Sequence, residues 1–474
     1  MAYRYGNRNQ IRLFPESMED YIASDDPVRA YDAFIGALDF RDLGITLDAN
    51  KVGNSEYHPH AMLKLLVYGY SYGIRSSRKL ERACHHNLSF IWLTSGLKPD
   101  HKTIAEFRRK NKEALANVLK QCARICIKLN LIEGNTLFVD GTKIRANASI
   151  KNTWTREKAL KALKHIDKNI KDILTQCDRQ DEAEEGTGSL VTMDKELKNQ
   201  KILESKVKGI LKELEEEKQK SLNTIDPECT RINSLQGSHA GFNLQSTVDE
   251  KEGLILSIDV VSENNDLNQF ASQINKANEI LDKKCKTAVA DSGYATTEEL
   301  EKIDNQEIKV IVPSQRQARK GEPHEFAKER FTYNLKNDCY ICPQGHKLTL
   351  YSTNKKNKVY IIFDKKICFS CPHYGICTKA KKGRTIARLL NEEARQKLEA
   401  QYEEPQSQEI YKLRKEKVEL PFGHIKRNLK VDSFLLRGLK GVKAEASVLA
   451  TCFDLVRMIT LLGVPGLVKE LNAC

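Results

Sequence analysis

The chain has 474 residues, with 77 Lys and Arg against 64 Asp and Glu for a formal charge of +13, enough length for two or three domains with proper cores. No apolar run approaches the roughly 20 residues of a membrane span, and M-A-Y-R-Y-G-N-R at the start is no signal peptide, which points to a cytoplasmic protein with no membrane partner. The charge is unevenly placed: residues 75–128 carry 13 basic against 4 acidic side chains, residues 411–443 carry 10 against 3, and the remainder is slightly negative, a distribution that suits a track for a polyanion better than a general solubility device.

Pro15-Glu16-Ser17 and Asp25-Asp26-Pro27 predict helix starts. From Pro59 a helix is predicted with Met62, Leu65, Leu66 and Tyr70 on one face, and Gly69 and Gly73 permit close packing. A second helix starts at Ser76 or Ser77 and a third after Asn87. The turn Ser95–Asp100 leads into one long basic helix through Ile104, Phe107, Leu115 and Leu119. Helix, turn, basic helix is compatible with DNA binding and equally with a helical bundle that has a solvated basic face.

Asn135 to Thr142, N-T-L-F-V-D-G-T, is the stretch around which the rest is organised: a short apolar strand that stops at Asp140-Gly141. Alone this is a turn signal. It recurs at Lys286 to Tyr294, K-T-A-V-A-D-S-G-Y, where the strand ends at Asp291. Between the two lie a helical hairpin over residues 154–220, with Leu160, Leu163, Ile166, Ile170 and Ile173 on one stripe, Leu203, Val207, Ile210 and Leu214 on another and a turn from Glu182 to Gly188, then a β-hairpin, Gly241–Asp249 and Leu254–Val261, then a helix starting near Asn264-Asn265-Asp266. The order strand, strand, strand, helix, strand, with acids closing the first and fourth strands, is the ribonuclease-H-like order, and Glu419 is the leading candidate for a third carboxylate from a later helix. Asp266 reads as a helix cap, Asn243 and Gln245 as strand residues that satisfy hydrogen bonds, Tyr294 as packing, and His58, His60, His85 and His86 as surface or capping groups; His424 is open between touching DNA and not.

After Asp291 come a helix, Thr296 to Ile303, and a strand, Ile308 to Pro313, then a polar loop. Eight of the 13 cysteines are scattered, as in a reducing compartment, and five crowd between Cys339 and Cys377. Two C-x-x-C pairs that flank a strand resemble a zinc ribbon, in which thiolates replace a hydrophobic core. Cys342, Cys368, Cys371 and Cys377 are the preferred ligands for one Zn²⁺, with buried metal-free thiols as the alternative. Helical pattern resumes from Asn391. Val418, Phe422, Ile425 and Leu429 form a core face, with Glu419 and Lys426 on an adjacent one. Pro421 must kink this helix or begin another. Val442 to Leu462 is a last apolar helix that packs on the sheet.

Taken together, these motifs resemble a DDE transposase of a bacterial insertion sequence, most like insertion-sequence family 1182. The resemblance runs over nearly the whole length: Tyr57-His58-Pro59, Tyr68-Gly69-Tyr70, Ser76-Ser77-Arg78, Pro99–Ile104 with Phe107-Arg108, Val139–Thr142, Asp226-Pro227, Gly241–Gln245, Asn265-Asp266, Ala290–Tyr294, Val418-Glu419 and Pro421–Lys426. It implies an α/β fold with a ribonuclease-H-like core. The expected domains are a helical DNA-binding domain at 1–130, the core at 131–153 and 223–330, the helical hairpin insertion at 154–222, a cysteine-rich insertion at 331–384 and the core's C-terminal helices at 385–474. It implies Asp140, Asp291 and Glu419 as catalytic acids and as ligands of two Mg²⁺ or Mn²⁺ ions, Asp140 bridging both. Lys426, Lys415 and Arg414 would contact DNA, with Arg414 and Tyr411 one place off a strict match to the related signature. Arg78, Lys79, Lys102, Arg108 and Arg109 would extend the DNA track from the N-terminal domain. Gly141 and Gly293 would let the DNA backbone approach. Double-stranded DNA is the implied partner, with a homodimer assembled on it in association with the nucleoid. A non-enzymatic DNA-binding regulator would need the basic helices without the acids, and a nuclease of the same fold would keep the acids without strand transfer.

Overall fold

The computed structural model describes residues 17–45, 47, 56–182, 187–216, 221–234, 237–319 and 324–473. The chain divides into two compact units. The first comprises Met1–Asp266, Gln273–Lys284 and Lys415–Cys474, the second Leu267–Ser272 and Cys285–Arg414.

The first unit opens on helices. Pro15 and Glu16 lie outside the described residues, while Ser17 caps a short 3₁₀ turn, Met18–Tyr21, through a reciprocal pair with Asp20. Asp26 caps α1 (Pro27–Gly36) by accepting the Val28 N–H, with Pro27 in the first turn where no N–H is missed. His58 caps α2 (Pro59–Ser71) through the N–H of His60. Gly69 is required there, because a Cβ would stand 2.2 Å from Leu80 Cδ2 of α3 (Ser77–His86). Asn87 caps α4 (Leu88–Leu93). The long basic helix expected after Asp100 is two helices, α5 (His101–Lys110) and α6 (Lys112–Lys128), interrupted at Asn111, whose side chain donates to the Phe107 carbonyl.

The strand β1 (Thr136–Arg145) follows, its Leu137, Phe138 and Val139 fully buried. The helical hairpin consists of α7 (Arg156–Glu182) and α8 (Thr187–Glu216); residues 183–186 of its expected turn lie outside the described residues. Ala159, Ile166 and Val207 form its buried seam, with Leu163, Ile170 and Leu211 packed on it. Leu203, expected on the stripe, is 43% exposed. Thr153–Trp154 pairs with Leu222–Asn223 at the hairpin's root. A strand that the sequence did not announce, β2 (Thr230–Ser234), pairs with the start of β3 (Gly237–Asp249), which also pairs antiparallel with β1 and with β4 (Ile255–Val261). The helix after Asn264 is α9 (Phe270–Leu281) and begins four residues beyond Asp266.

In the second unit β5 (Thr287–Val289) and β6 (Lys309–Ile311) pair in parallel around α10 (Thr297–Asp304), the expected strand, helix, strand. The cysteine-rich segment differs from a ribbon without a core. It is a five-stranded antiparallel sheet of β7 (Thr332–Asn334), β8 (Cys339–Ile341), β9 (Lys347–Thr353), β10 (Asn357–Ile361) and β11 (Thr385–Leu389), adjacent in chain order, with the short α11 (Lys365–Phe369) before β11. Phe331, Tyr340, Leu348, Tyr360, Ile362, Cys368 and Ile386 give it a hydrophobic core of its own. The hydroxyls of Tyr333 and Tyr360 donate to Asp338 at 2.7 and 2.6 Å, and with Lys358 they hold that carboxyl down at about 2.

The helices α12 (Glu392–Glu403) and α13 (Pro405–Gly423) follow, and the boundary between the units falls inside α13. The helix continues through Pro421 and widens into a π-turn at His424–Asn428, closed by the Leu429 N–H on the His424 carbonyl at 3.1 Å. Pro421 leaves the Lys417 carbonyl without its helical partner, a common origin of such irregularity. In the first unit α14 (Leu439–Leu462) is the buried spine, and its Asp454 accepts the Ile255 N–H of β4 at 2.9 Å, as expected for a helix packed on the sheet; α15 (Val464–Ala473) ends the described chain. Among the described residues no single helix is long and apolar enough to cross a membrane.

Candidate active site

In the first unit the register of β1 on β3 fixes which side chains share a face. Asp140 lies opposite Ser246, Gly141 opposite Gln245, Thr142 opposite Leu244 and Lys143 opposite Asn243. Alternation places Asp140 and Thr142 on one face of the sheet and Gly141 and Lys143 on the other. Asp140 is half-buried where the apolar run ends.

Lys426, in the π-turn, donates from Nζ to Thr142 Oγ1. The segment that follows Glu419 is thereby anchored on the face of β1 that carries Asp140. Burial pushes the Lys426 ammonium below its usual range. Glu419 itself is exposed on α13, between the buried Val418 and the exposed Leu420, and Lys415 is exposed one turn earlier. His424 turns inward, with its ring edge-on to Phe453 at 5.4 Å and its pKa lowered by burial, which removes it from the DNA-facing candidates.

The opposite face carries a polar network that sequence reasoning passed over. Asp266 Oδ1 accepts from Asn243 Nδ2 at 2.8 Å, Gln245 Nε2 at 2.8 Å and Lys143 Nζ at 3.1 Å. Asp266 is therefore not a cap of α9 but the acceptor of a cross-strand cluster, in which Asn243 and Gln245 are fully buried. This corrects the role of Gly141 too. A Cβ there would stand 2.3 Å from Gln245 Nε2 and 2.7 Å from Asp266 Oδ1, so the glycine is demanded by the network behind the strand. Gly141→Ala is expected to cost about 1–3 kcal/mol as the overpacked network shifts, measurable as a fall in the denaturation midpoint. An unchanged midpoint would show that the network yields freely.

In the second unit Asp291 follows β5 and caps the 3₁₀ turn Ser292–Tyr294, its Oδ1 accepting the Gly293 N–H at 2.8 Å. Its Oδ2 stands 3.5 Å from Arg414 Nη2. Arg414, expected to face DNA, is instead largely buried as the ion partner of Asp291, with its guanidinium 5.9 Å from the Tyr411 ring. Tyr294 is buried against Phe270.

Among the N-terminal basic residues, Arg78, Lys79 and Lys102 are exposed. Arg108 is not available: it is buried and donates to Tyr70 Oη at 3.0 Å, the Arg75 carbonyl at 2.9 Å and Ser77 Oγ. Helical spacing gave its position on α5 but not what the guanidinium meets. Arg109 is exposed and paired with Glu106.

Among the described residues no group of three or more His, Cys, Asp or Glu side chains is so placed that it could hold a metal ion as it stands. Asp140 and Glu419 belong to the first unit and Asp291 to the second. All three offer hard carboxylate oxygens, the donor type that suits Mg²⁺ or Mn²⁺.

Residues 341–459 match a family model described as a transposase DDE domain, and residues 16–110 match one described as a transposase domain (DUF772). Both models describe transposases. The matches support a DDE transposase of an insertion element, a DNA-cleaving enzyme for which DNA is the partner and divalent ions such as Mg²⁺ or Mn²⁺ are the general cofactors of the family. A DDE domain implies a ribonuclease-H-like fold, with which this mixed α/β transposase is compatible. Of the three candidate acids the DDE match spans Glu419 alone. No curated protein and no solved structure matches the chain.

Proposed function

We propose that this transposase, of the kind of insertion-sequence family 1182, binds the ends of its element and catalyses strand cleavage and strand transfer, with Asp140, Asp291 and Glu419 as the catalytic acids. The observation that carries the reading is the hydrogen bond from Lys426 to Thr142, which sets the end of the Glu419 helix against the Asp140 face of β1. When bound, two divalent ions supply Lewis-acid charge to the attacking and leaving oxygens of an in-line displacement at phosphorus. The protein's part is to hold three carboxylates for those ions, Asp140 from a strand whose preceding residues are fully buried, Asp291 through the Gly293 N–H and Arg414, and Glu419 from a helix. Lys426 and Lys415 contribute positive charge for a phosphate, and a homodimer would bring two element ends together.

The test is incubation of the full-length protein and Mg²⁺ with DNA that carries the sequences flanking its own gene, with nicks and joined products mapped. Nicks at the element ends with joining to target DNA are the expected result. Nicks without joining point to a nuclease, and binding without nicks points to a regulator.

For the N-terminal track the proposal rests on Arg78, Lys79 and Lys102, exposed on α3 and α5, with Arg109 contributing once released from Glu106. Affinity for end DNA should fall linearly in log salt, by about 0.9 per neutralised phosphate. Replacing Arg78, Lys79 and Lys102 together by alanine should flatten that slope by roughly 2.7 if each meets one phosphate. An unchanged slope would place the DNA elsewhere.

A further inference from the structure

We propose that Cys342, Cys368, Cys371 and Cys377 hold one structural zinc ion at the margin of the five-stranded sheet. All four thiols line one small cavity of about 30 Å³, beside Phe326 and Ile362. Cys339, which the C-x-x-C spacing would have paired with Cys342, is not among them. It is buried within β8, opposite Thr349 and Asn334, so the spacing that first suggests a ligand pair joins a core residue to a cavity residue.

The surroundings of the sulfurs are those of thiolates. At Cys342-Pro343-Gln344-Gly345-His346 the chain turns tightly, with the Gly345 N–H on the Cys342 carbonyl at 2.8 Å, and φ of +81° at the glycine. This aims the His346 N–H at Cys342 Sγ, 3.3 Å away. From the other side the Arg384 N–H donates to Cys368 Sγ at 3.4 Å. Gly383 permits that approach, since a Cβ there would stand 3.1 Å from the same sulfur and φ is +75°. Backbone donors aimed at sulfur stabilise a negative ligand and fix its direction.

A second observation is independent of the thiols. Arg384 also lines the cavity. Its Nη1 and Nη2 donate to the Cys377 and Phe326 carbonyls, yet its Nε is buried with no hydrogen-bond partner. A buried cationic donor left unpaired is costly. Four thiolates around one Zn²⁺ leave a net charge of −2, and the Arg384 guanidinium is the cation the site would place beside it. Because no three groups are metal-ready as they stand, zinc binding must draw the sulfurs together by side-chain rotation. The sheet's aromatic core needs no metal to form. Zinc would instead fix the α11 loop and the 342–346 turn against each other.

The measurement is zinc content of the full-length protein, purified without chelator from zinc-supplemented cells. About one zinc per chain is expected, the stoichiometry of a four-thiolate structural site, falling at least five-fold in Cys371→Ser/Cys377→Ser. Full content is expected in Cys339→Ser and in His373→Ala, which alters a cavity histidine outside the set. Should the double variant fail to fold, cobalt is exchanged into the natural chain. A thiolate-to-cobalt charge-transfer band of four-thiolate intensity supports the site, and its absence overturns it. Wild-type protein with well under one zinc, or a double variant that keeps its zinc, overturns it equally. Each readout is independent of DNA cleavage and so stands apart from the proposed catalytic function.

Discussion

Alanine at Asp140, Asp291 or Glu419 is expected to reduce DNA cleavage by ~10³-fold or more while binding to end DNA is retained. Each substitution removes a metal-binding charge and leaves Arg78, Lys79 and Lys102 untouched. The three are not equivalent structurally. Asp140 is half-buried at the end of a buried run and Glu419 is exposed, so neither change empties a core. Asp291→Ala removes the cap of a 3₁₀ turn and the partner of Arg414, and a modest loss of stability of about 1 kcal/mol should accompany its loss of activity. Asp291→Asn, which keeps an oxygen for the Gly293 N–H, separates the two effects. Near-normal cleavage by Glu419→Ala with loss in Glu416→Ala would move the third acid by one turn. Cleavage retained in Asp140→Ala or Asp291→Ala would end the mechanism.

The largest effect on stability is expected at a residue far from the acids. Glu445 on α14 is fully buried. One carboxylate oxygen accepts from Arg75 Nη1 at 2.8 Å, and the other accepts the N–H groups of Leu435 and Leu436 at 2.8 and 2.9 Å. Burial pushes the carboxyl's pKa up, against the pull of Arg75 and those two donors. Arg75 in turn donates to the carbonyls of Ser433 and Lys430, just beyond the π-turn. Glu445→Ala leaves a nearly buried guanidinium without its counter-ion and two N–H groups without an acceptor. It should cost about 3–5 kcal/mol, read as the shift in a denaturant midpoint at constant slope. A loss below about 1 kcal/mol, the size of an exposed pair, would mean that water replaces the carboxylate. Arg75 falls in the most basic stretch of the sequence, yet its partners are all internal.

What could be read in the sequence was what depends on neighbours along the chain. Leu137–Val139 ending at Asp140, Asp26-Pro27 opening α1 and the 3-and-4 spacing after Pro59 each carry their own local signal, and each is found. What could not be read depends on partners distant in sequence. Thr230–Ser234 is polar and becomes a strand only because Gly237–Gly241 lies beside it. The break at Asn111 is invisible to a periodicity that continues through Leu115. The sheet of the cysteine-rich segment is built from strands such as K-L-T-L-Y-S-T, whose outer residues are exposed, so its aromatic core emerges only when five strands meet. At the candidate site the acids were legible as strand ends. The Asp266 network was not, because its donors lie on two strands more than 20 residues away. Arg108 and Arg414 were legible as charges but not as internal ligands.

The π-turn at His424–Asn428 makes the C-terminal helix sensitive to length in a way that composition does not reveal. A wide turn accommodates one residue more than the α-helical repeat. Deleting a single residue there would let the backbone relax into regular helix. Everything after the deletion would then be rotated by about 100° about the helix axis. Ile425, Leu429 and Val431, now buried, would swing away from the core, and Lys426 would leave Thr142. Point substitutions in this segment should therefore be far better tolerated than one-residue insertions or deletions, and the permitted length of 424–428 is itself a property under structural control.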